Sequence, residues 1–250
     1  MKERRNQIVE LVNEQGAVSF ALLKSHFPDV SEMTLRSDLK ALDEQRLIVR
    51  VHGGAKSVER VIGTDDLFHK RVVRNVEGKR LIAAKATKLV VPNSAIYLDS
   101  GSTLTEFATV FPEVSCELFT TGLPGAMALA AREKVTVHVL GGTLDVPSLS
   151  LTGSTCCELV DRLHFDIAFM GVTGFLPETG FTCGSCDESA LKRAVIAHSE
   201  RVVLMMDGSK VGVPNTFSFA NANQIDTVIS DGTLDDETLA YFERMRVHIL

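Results

Sequence analysis

In the stretch Ser31-Glu32-Met33-Thr34-Leu35-Arg36-Ser37-Asp38-Leu39-Lys40, Ser31 can accept a hydrogen bond from the free N–H groups of a first helical turn. Leu35, Leu39 and Leu42 then recur at helical spacing, which predicts an amphipathic helix with a buried leucine stripe. Thr34, Arg36, Ser37 and Lys40 fall on the polar side, a set of residue types suited to a DNA groove. Upstream, Ile8, Val9, Leu11 and Val12 predict a first helix ended by Gly16, and Ser19 caps a second that carries Leu22, Leu23 and Phe27. Pro28 stops it, and Pro28-Asp29-Val30 is short enough for a helix-turn-helix corner. Downstream, Leu47 to Val51 reads as a strand running into His52-Gly53-Gly54-Ala55, where paired glycines permit a tight turn and hence a wing.

A small helical protein-interaction module would share three helices and a hairpin, and charge does not separate the two readings. Residues 1–57 hold nine Lys and Arg against eight Asp and Glu, a net of +1 that leaves −7 for the remainder. With so modest a basic footprint, DNA binding is expected to rely on dimerisation over paired half-sites.

The turn, the Ser-x-x-Thr-Leu-Arg-x-Asp-Leu pattern from Ser31 to Leu39, the His52 to Ala55 wing and Arg5 upstream resemble the winged-helix domain of the DeoR family of bacterial sugar-metabolism regulators. The resemblance implies that Ser31 opens a recognition helix on which Met33, Thr34, Arg36 and Ser37 face base edges or nearby phosphates. It also implies that Lys40, Arg50 and His52 approach the DNA backbone. Many members carry a second basic residue after the arginine, where this chain has Ser37, so fewer phosphate contacts and a shallower salt dependence are expected.

The 250 residues, 45% of them apolar, suffice for two domains with a sizeable core. No apolar run approaches the roughly 18 residues of a membrane helix, and the charged start Lys2 to Arg5 is unlike a signal peptide, so a cytoplasmic location is expected. Five cysteines are an odd number, and reduced thiols are the default. Cys183-Gly184-Ser185-Cys186 is a Cys-x-x-Cys pair that Cys156-Cys157 could extend to four soft ligands, which leaves a redox- or metal-responsive regulator as an alternative. The histidines are scattered, so no metal site is predicted.

The expected organisation is a DNA-binding domain over 1–57, a linker and connecting helix over 58–75, and an α/β domain over 76–250. Thr64-Asp65-Asp66 would cap a helix carrying Leu67, Phe68, Val72, Val73 and Val76, with Gly78 interrupting it before Leu81. Short apolar runs at 95–98, 117–120, 136–140, 166–170, 202–206 and 227–229 alternate with helical stretches at 102–110, 124–132, 187–199 and 235–245. That alternation predicts a doubly wound parallel sheet.

In such a sheet ligands sit at the carboxyl ends of strands. Asp99-Ser100-Gly101-Ser102-Thr103 follows a strand and opens a helix, a geometry that can hold an anion. Thr120-Thr121-Gly122, Gly141-Gly142-Thr143 and Gly171-Val172-Thr173-Gly174 follow three more strands. Each alone is an ordinary turn, but four in succession favour a pocket. Glu188 and Lys192 lie four apart on a helix, as either a surface ion pair or pocket groups. Asp207 could bind sugar hydroxyls, with Ser209 beside it and Lys210 to neutralise a phosphate.

This half also resembles the DeoR effector domain, related in fold to ribose-5-phosphate isomerase, and the resemblance adds Arg71 and Lys79 to the effector-binding set. It implies a homo-oligomeric transcriptional regulator, dimer or tetramer, without a cofactor. A phosphorylated sugar or sugar alcohol would change its affinity for a double-stranded operator, by release of a repressor. An active isomerase would need a carboxylate-rich loop, and Gly171-Val172-Thr173-Gly174-Phe175 contains none, so no catalytic residue is assigned.

Overall fold

The computed structural model describes residues 2–28, 30–45, 47–51, 53–56 and 67–250. The chain divides into two compact units, Met1–Asp65 and Asp66–Leu250.

The first unit runs α1 (Lys2–Gln15), β1 (Ala17–Ser19), α2 (Phe20–His26), α3 (Glu32–Glu44), β2 (Val49–Val51) and β3 (Gly54–Lys56). The expected caps are present: Ser19 accepts from the Leu22 N–H and Ser31 from the Thr34 N–H. Gly16 ends α1 in the left-handed region at φ 67°. Ile8, Val12, Val18, Leu23, Leu35, Leu39, Leu42, Ile48 and Ala55 form one core, so the leucine stripe of α3 is buried as its spacing predicts. The wing is a β2–β3 hairpin, joined by β1 in an antiparallel sheet ordered β1-β3-β2. The third strand went unread in the sequence and explains Gly54, where a Cβ would lie 2.1 Å from the Val18 carbonyl oxygen.

The second unit begins with α4 (Phe68–Val72) and α5 (Val76–Ala86), then β4 (Ala95–Leu98), α6 (Ser102–Thr109), β5 (Cys116–Thr120), α7 (Leu123–Leu129) and β6 (Val135–Val139). A hairpin, β7 (Thr143–Asp145) and β8 (Ser150–Thr152), leads to α8 (Ser154–Val160), β9 (Ile167–Gly171), β10 (Gly174–Leu176), β11 (Gly180–Cys183) and α9 (Cys186–Ala197). The chain closes with β12 (Val202–Met205), β13 (Phe217–Ala220), β14 (Thr227–Ile229), α10 (Asp236–Arg244) and β15 (His248–Ile249).

Seven strands form a parallel sheet in the order β15-β14-β12-β9-β4-β5-β6. Along its central strands alternate residues enter different cores. Tyr97, Ala168, Met170 and Leu204 point to one, while Ile96, Leu98, Phe169 and Val203 point to the other. Burial of both faces is what a doubly wound sheet requires, and it accounts for near-continuous apolar strands. β10, β11 and β13 form a separate antiparallel sheet.

The expected interruption at Gly78 is corrected. Gly78 lies inside α5, and the break falls before it at Asn75, whose φ is 41°. A Cβ on Gly78 would lie 2.4 Å from Asp231 Oδ2, so glycine is required by the close approach of the helix start to that carboxylate. The cap expected at Thr64-Asp65-Asp66 lies outside the described residues. The Phe68 N–H donates to the Pro147 carbonyl at 2.8 Å, which fastens α4 within the second unit.

Candidate effector site and DNA-reading surface

In the sheet, β4 leads through α6 to β5 and β6 on one side, whereas β9 leads to β12, β14 and β15 on the other. The loops leaving β4 and β9 therefore diverge, opening a crevice at the carboxyl ends of these two strands. Asp99 sits there, 4% exposed. Its Oδ1 accepts from the Ser100 N–H at 2.8 Å and its Oδ2 from the Gly171 N–H at 2.9 Å, tying the two diverging loops together.

Lys192, from α9, enters the same crevice. Its ammonium donates to Asp99 Oδ2 and to the Gly171 carbonyl at 3.0 Å, and it lies 3.4 Å from Glu188 Oε1. Burial alone would lower the Lys192 pKa, but the Asp99 and Glu188 carboxylates outweigh it and raise the pKa above the ordinary lysine value. Lys192 is thus a buried cation enclosed by protein acceptors, which corrects the surface-pair reading.

A second charged group gathers Arg71, Lys79, Asp207 and Lys210. Lys79 is 6% exposed, and its ammonium donates to the carbonyls of Arg71 and Arg74, holding the end of α4. Its pKa falls to about 8, first through burial and then through the positive charge of Lys210, with Arg71 adding to the repulsion and Asp207 and Glu106 opposing it. The Nε and Nη2 of Arg71 are shielded from solvent and have no hydrogen-bond partner among the described residues. Buried cationic donors left unpaired are costly, and these two Arg71 nitrogens meet no acceptor among the described residues. Asp207 is partly committed, since its Oδ1 accepts from the Ser209 N–H at 2.9 Å and from the Ser209 hydroxyl.

Asp99 leads directly into the start of α6. Gly101 precedes it at φ 121°, a conformation disfavouring any side chain, and no protein acceptor meets the N–H groups of Ser102, Thr103 and Leu104 among the described residues.

The other strand-end loops are employed differently. The Thr120 hydroxyl accepts from the Gly122 N–H at 3.0 Å, and the Thr121 hydroxyl lies 3.2 Å from the Tyr97 hydroxyl; both threonines are at most 1% exposed. The Gly141 carbonyl accepts from the Cys156 thiol, and a Cβ on Gly142 would lie 2.5 Å from Cys156 Sγ. A Cβ on Gly174 would lie 2.0 Å from the Val213 carbonyl. Thr120, Thr121, Gly142 and Gly174 are thus engaged in packing or internal hydrogen bonds, whereas a Cβ on Gly141 would meet open space and Gly171 borders the crevice. Asn215, unread in the sequence, has a buried Nδ2 with no partner among the described residues. Cys183 is buried with its thiol pushed up to about 12, chiefly by burial, whereas Cys186 is exposed. A thiol so protonated is a poor nucleophile and metal ligand.

On the first unit, Met33 is 82% exposed, and Ser37, Lys40 and Arg50 are exposed as well. The Arg36 guanidinium lies 3.7 Å from Glu32 and 4.3 Å from the Phe20 ring centroid, while the Ser31 and Thr34 hydroxyls bond to each other at 2.8 Å. His52 lies outside the described residues. Asp38, in the same helix, is 2% exposed and binds both Arg4 (Nη2 at 2.6 Å) and Arg5 (Nε at 2.8 Å), clamping α1 to α3. An acidic residue on the leucine side of the helix was the available signal for that clamp.

A helix-turn-helix with an exposed polar helix face, followed in the chain by a doubly wound unit, defines a DNA-binding transcriptional regulator with a sensor domain. Residues 4–61 match the DeoR-like helix-turn-helix domain and residues 74–232 the DeoR C terminal sensor domain. The chain is 34% identical over 248 residues to the HTH-type transcriptional regulator GlpR of Haloferax volcanii, covering 99% of this chain and 96% of that one. It is 30% identical over 230 residues to the glycerol-3-phosphate regulon repressor of Escherichia coli K12, covering 92% and 90%. Among solved structures, ribose 5-phosphate isomerase A of Methanocaldococcus jannaschii matches at 21% identity and a TM-score of 0.40, covering 55% of each chain. The chain belongs to the DeoR family.

Proposed function

We propose that the second unit senses a phosphorylated sugar or sugar alcohol, and that its occupancy weakens operator binding by the first, the protein acting as a cytoplasmic, homo-oligomeric repressor of a sugar-utilisation operon. The observation that carries this reading is that Arg71 Nε and Nη2, beside Lys79 and Lys210, are buried with no hydrogen-bond partner among the described residues. A phosphate monoester supplies acceptors for these two Arg71 nitrogens. The glycerol-3-phosphate regulon repressor among the relatives supports the same chemistry. The boundaries proposed are 1–57 for DNA binding, 58–75 for connection and 76–250 for sensing. The protein is proposed not to be an enzyme: Asp99, the carboxylate deepest in the crevice, is held by Lys192 and two backbone N–H groups rather than poised as a base.

A dye-based thermal-shift screen of phosphorylated sugars against their unphosphorylated parents tests this, since the chain has no tryptophan. One phosphorylated compound should raise the melting temperature and its parent should not. A screen without any phosphate-dependent rise defeats the reading. Effector and operator are coupled by about 1–3 kcal/mol, and each must weaken the other equally. Arg36→Ala should therefore lower operator affinity with effector affinity kept, and Lys210→Ala should blunt the effector response with operator affinity kept. Anisotropy titrations with and without effector would show the reverse pattern if the assignments were exchanged.

Because the Lys79 pKa is lowered to about 8, its ammonium is present below that pH and lost above it. A phosphate dianion prefers the protonated form, so its affinity should hold between about pH 7 and 8 and fall above 8, by at most tenfold per pH unit. Calorimetry in buffers of different ionisation enthalpy should show proton uptake on binding near pH 8.5. Pure enthalpy without uptake would remove Lys79 from the site.

A further inference from the structure

We infer that the sensing crevice is polarised along its length, so that it takes a neutral polyhydroxy chain bearing one phosphate and rejects a second anionic group, with Glu188 as the residue that sets this specificity. The inference rests on the phosphate-sensing reading above and adds which compounds that site admits.

Asp99, Glu188 and Lys192 form one cluster of two carboxylates and one ammonium, with a net formal charge of −1. The ammonium cannot turn toward a ligand. Asp99, the Gly171 carbonyl and Glu188 surround it, the Phe219 ring centroid lies 5.1 Å away, and its side chain is 3% exposed. The Asp99 side chain is equally enclosed at 3%, whereas Glu188 is 18% exposed and so is the least enclosed carboxylate of the cluster. Carboxylate oxygens accept from hydroxyl groups and repel other anions, and in a partly desolvated crevice both effects are larger than in water.

The cations Arg71 and Lys79 gather with Lys210, which follows β12. Neighbouring strands lie about 4.8 Å apart, so the ends of β4 and β12, separated by β9 alone, stand about 10 Å from each other. That span suits a phosphorylated chain of a few carbons lying across the strand ends, phosphate toward Lys210 and hydroxyls toward Glu188.

The test uses the full chain and three matched pairs, each a hydroxylated monophosphate and its carboxylate counterpart: glycerol 3-phosphate and 3-phosphoglycerate, ribose 5-phosphate and 5-phosphoribonate, and glucose 6-phosphate and 6-phosphogluconate. Calorimetric titration should give at least tenfold tighter binding of the hydroxylated member in the pair that binds best. Glu188→Gln, which keeps shape and acceptor oxygen but loses charge, should bring that ratio within about threefold, and Glu188→Asp should restore it. A merely structural role would weaken both members together and leave the ratio unchanged, and that result overturns the inference. Equal binding of both members by the unmodified protein overturns it too, leaving phosphate sensing intact. If neither inorganic phosphate nor any of the six compounds binds, the phosphate-sensing reading itself falls, and the inference with it.

Discussion

Arg71→Ala is expected to abolish effector response while leaving the ligand-free protein as stable as before, or more stable. The two shielded guanidinium nitrogens have no acceptor among the described residues, so removing them removes a desolvation cost and breaks no hydrogen bond of theirs there. The backbone carbonyl of residue 71, which Lys79 holds, survives the substitution. With a phosphate bound, the same change removes a pair of charge-assisted bonds, about 2–3 kcal/mol in total, or roughly 30- to 150-fold in Kd. Arg71→Lys should recover only part of this, because an ammonium cannot engage two phosphate oxygens in the same fork geometry. Parallel melting curves with and without effector check both halves. A variant that loses stability without ligand and keeps its ligand-induced rise would show that Arg71 is a structural residue.

Asp38→Asn should weaken DNA binding without touching the effector site. Asp38 carries the Arg4 and Arg5 guanidinium groups on its two oxygens, and its own side chain is 2% exposed. The isosteric amide keeps the shape but accepts through one oxygen only and without charge, so one arginine is released. Both arginines are about a quarter exposed and can recover water, so the expected cost to the first unit is about 2 kcal/mol rather than the larger penalty of a sealed ion pair. The loss should be similar across DNA sequences, because the clamp sets the pose of α3 and reads no base. Unchanged affinity for operator DNA would show that α1 is dispensable for presenting the helix. The clamp also means that Arg4 and Arg5 have an internal counter-charge in Asp38.

The parts of this architecture that local chemistry controls were legible in the residues. Ser19 and Ser31 mark helix starts because they satisfy N–H groups within their own turn, and the strands at β4, β9, β12 and β14 are legible because burial on both faces demands unbroken apolar runs. What depends on a distant partner was not legible. Ala17–Ser19 is a strand only because β3 lies beside it. Gly142 and Gly174 look like phosphate-loop glycines, yet Cys156 and the Val213 carbonyl demand them. Lys192 at helical spacing from Glu188 has the pattern of a surface ion pair, and only the fold reveals that the crevice closes over it. The effector site is likewise half legible: its loops follow strands that periodicity locates, but which hydroxyls and cations remain unspent depends on packing.

The segment from Leu67 to Asn75 is the first described stretch of the second unit, and it is moored at two points: the Phe68 N–H on Pro147, and the carbonyls of Arg71 and Arg74 on Lys79. Between these moorings stands the guanidinium proposed to take the phosphate. The chain arriving from the DNA-binding unit is therefore made fast at the receptor itself. On the proposed reading, ligand occupancy needs no relay across the sheet to be felt along the tether, since it acts on the knot by which the tether is tied.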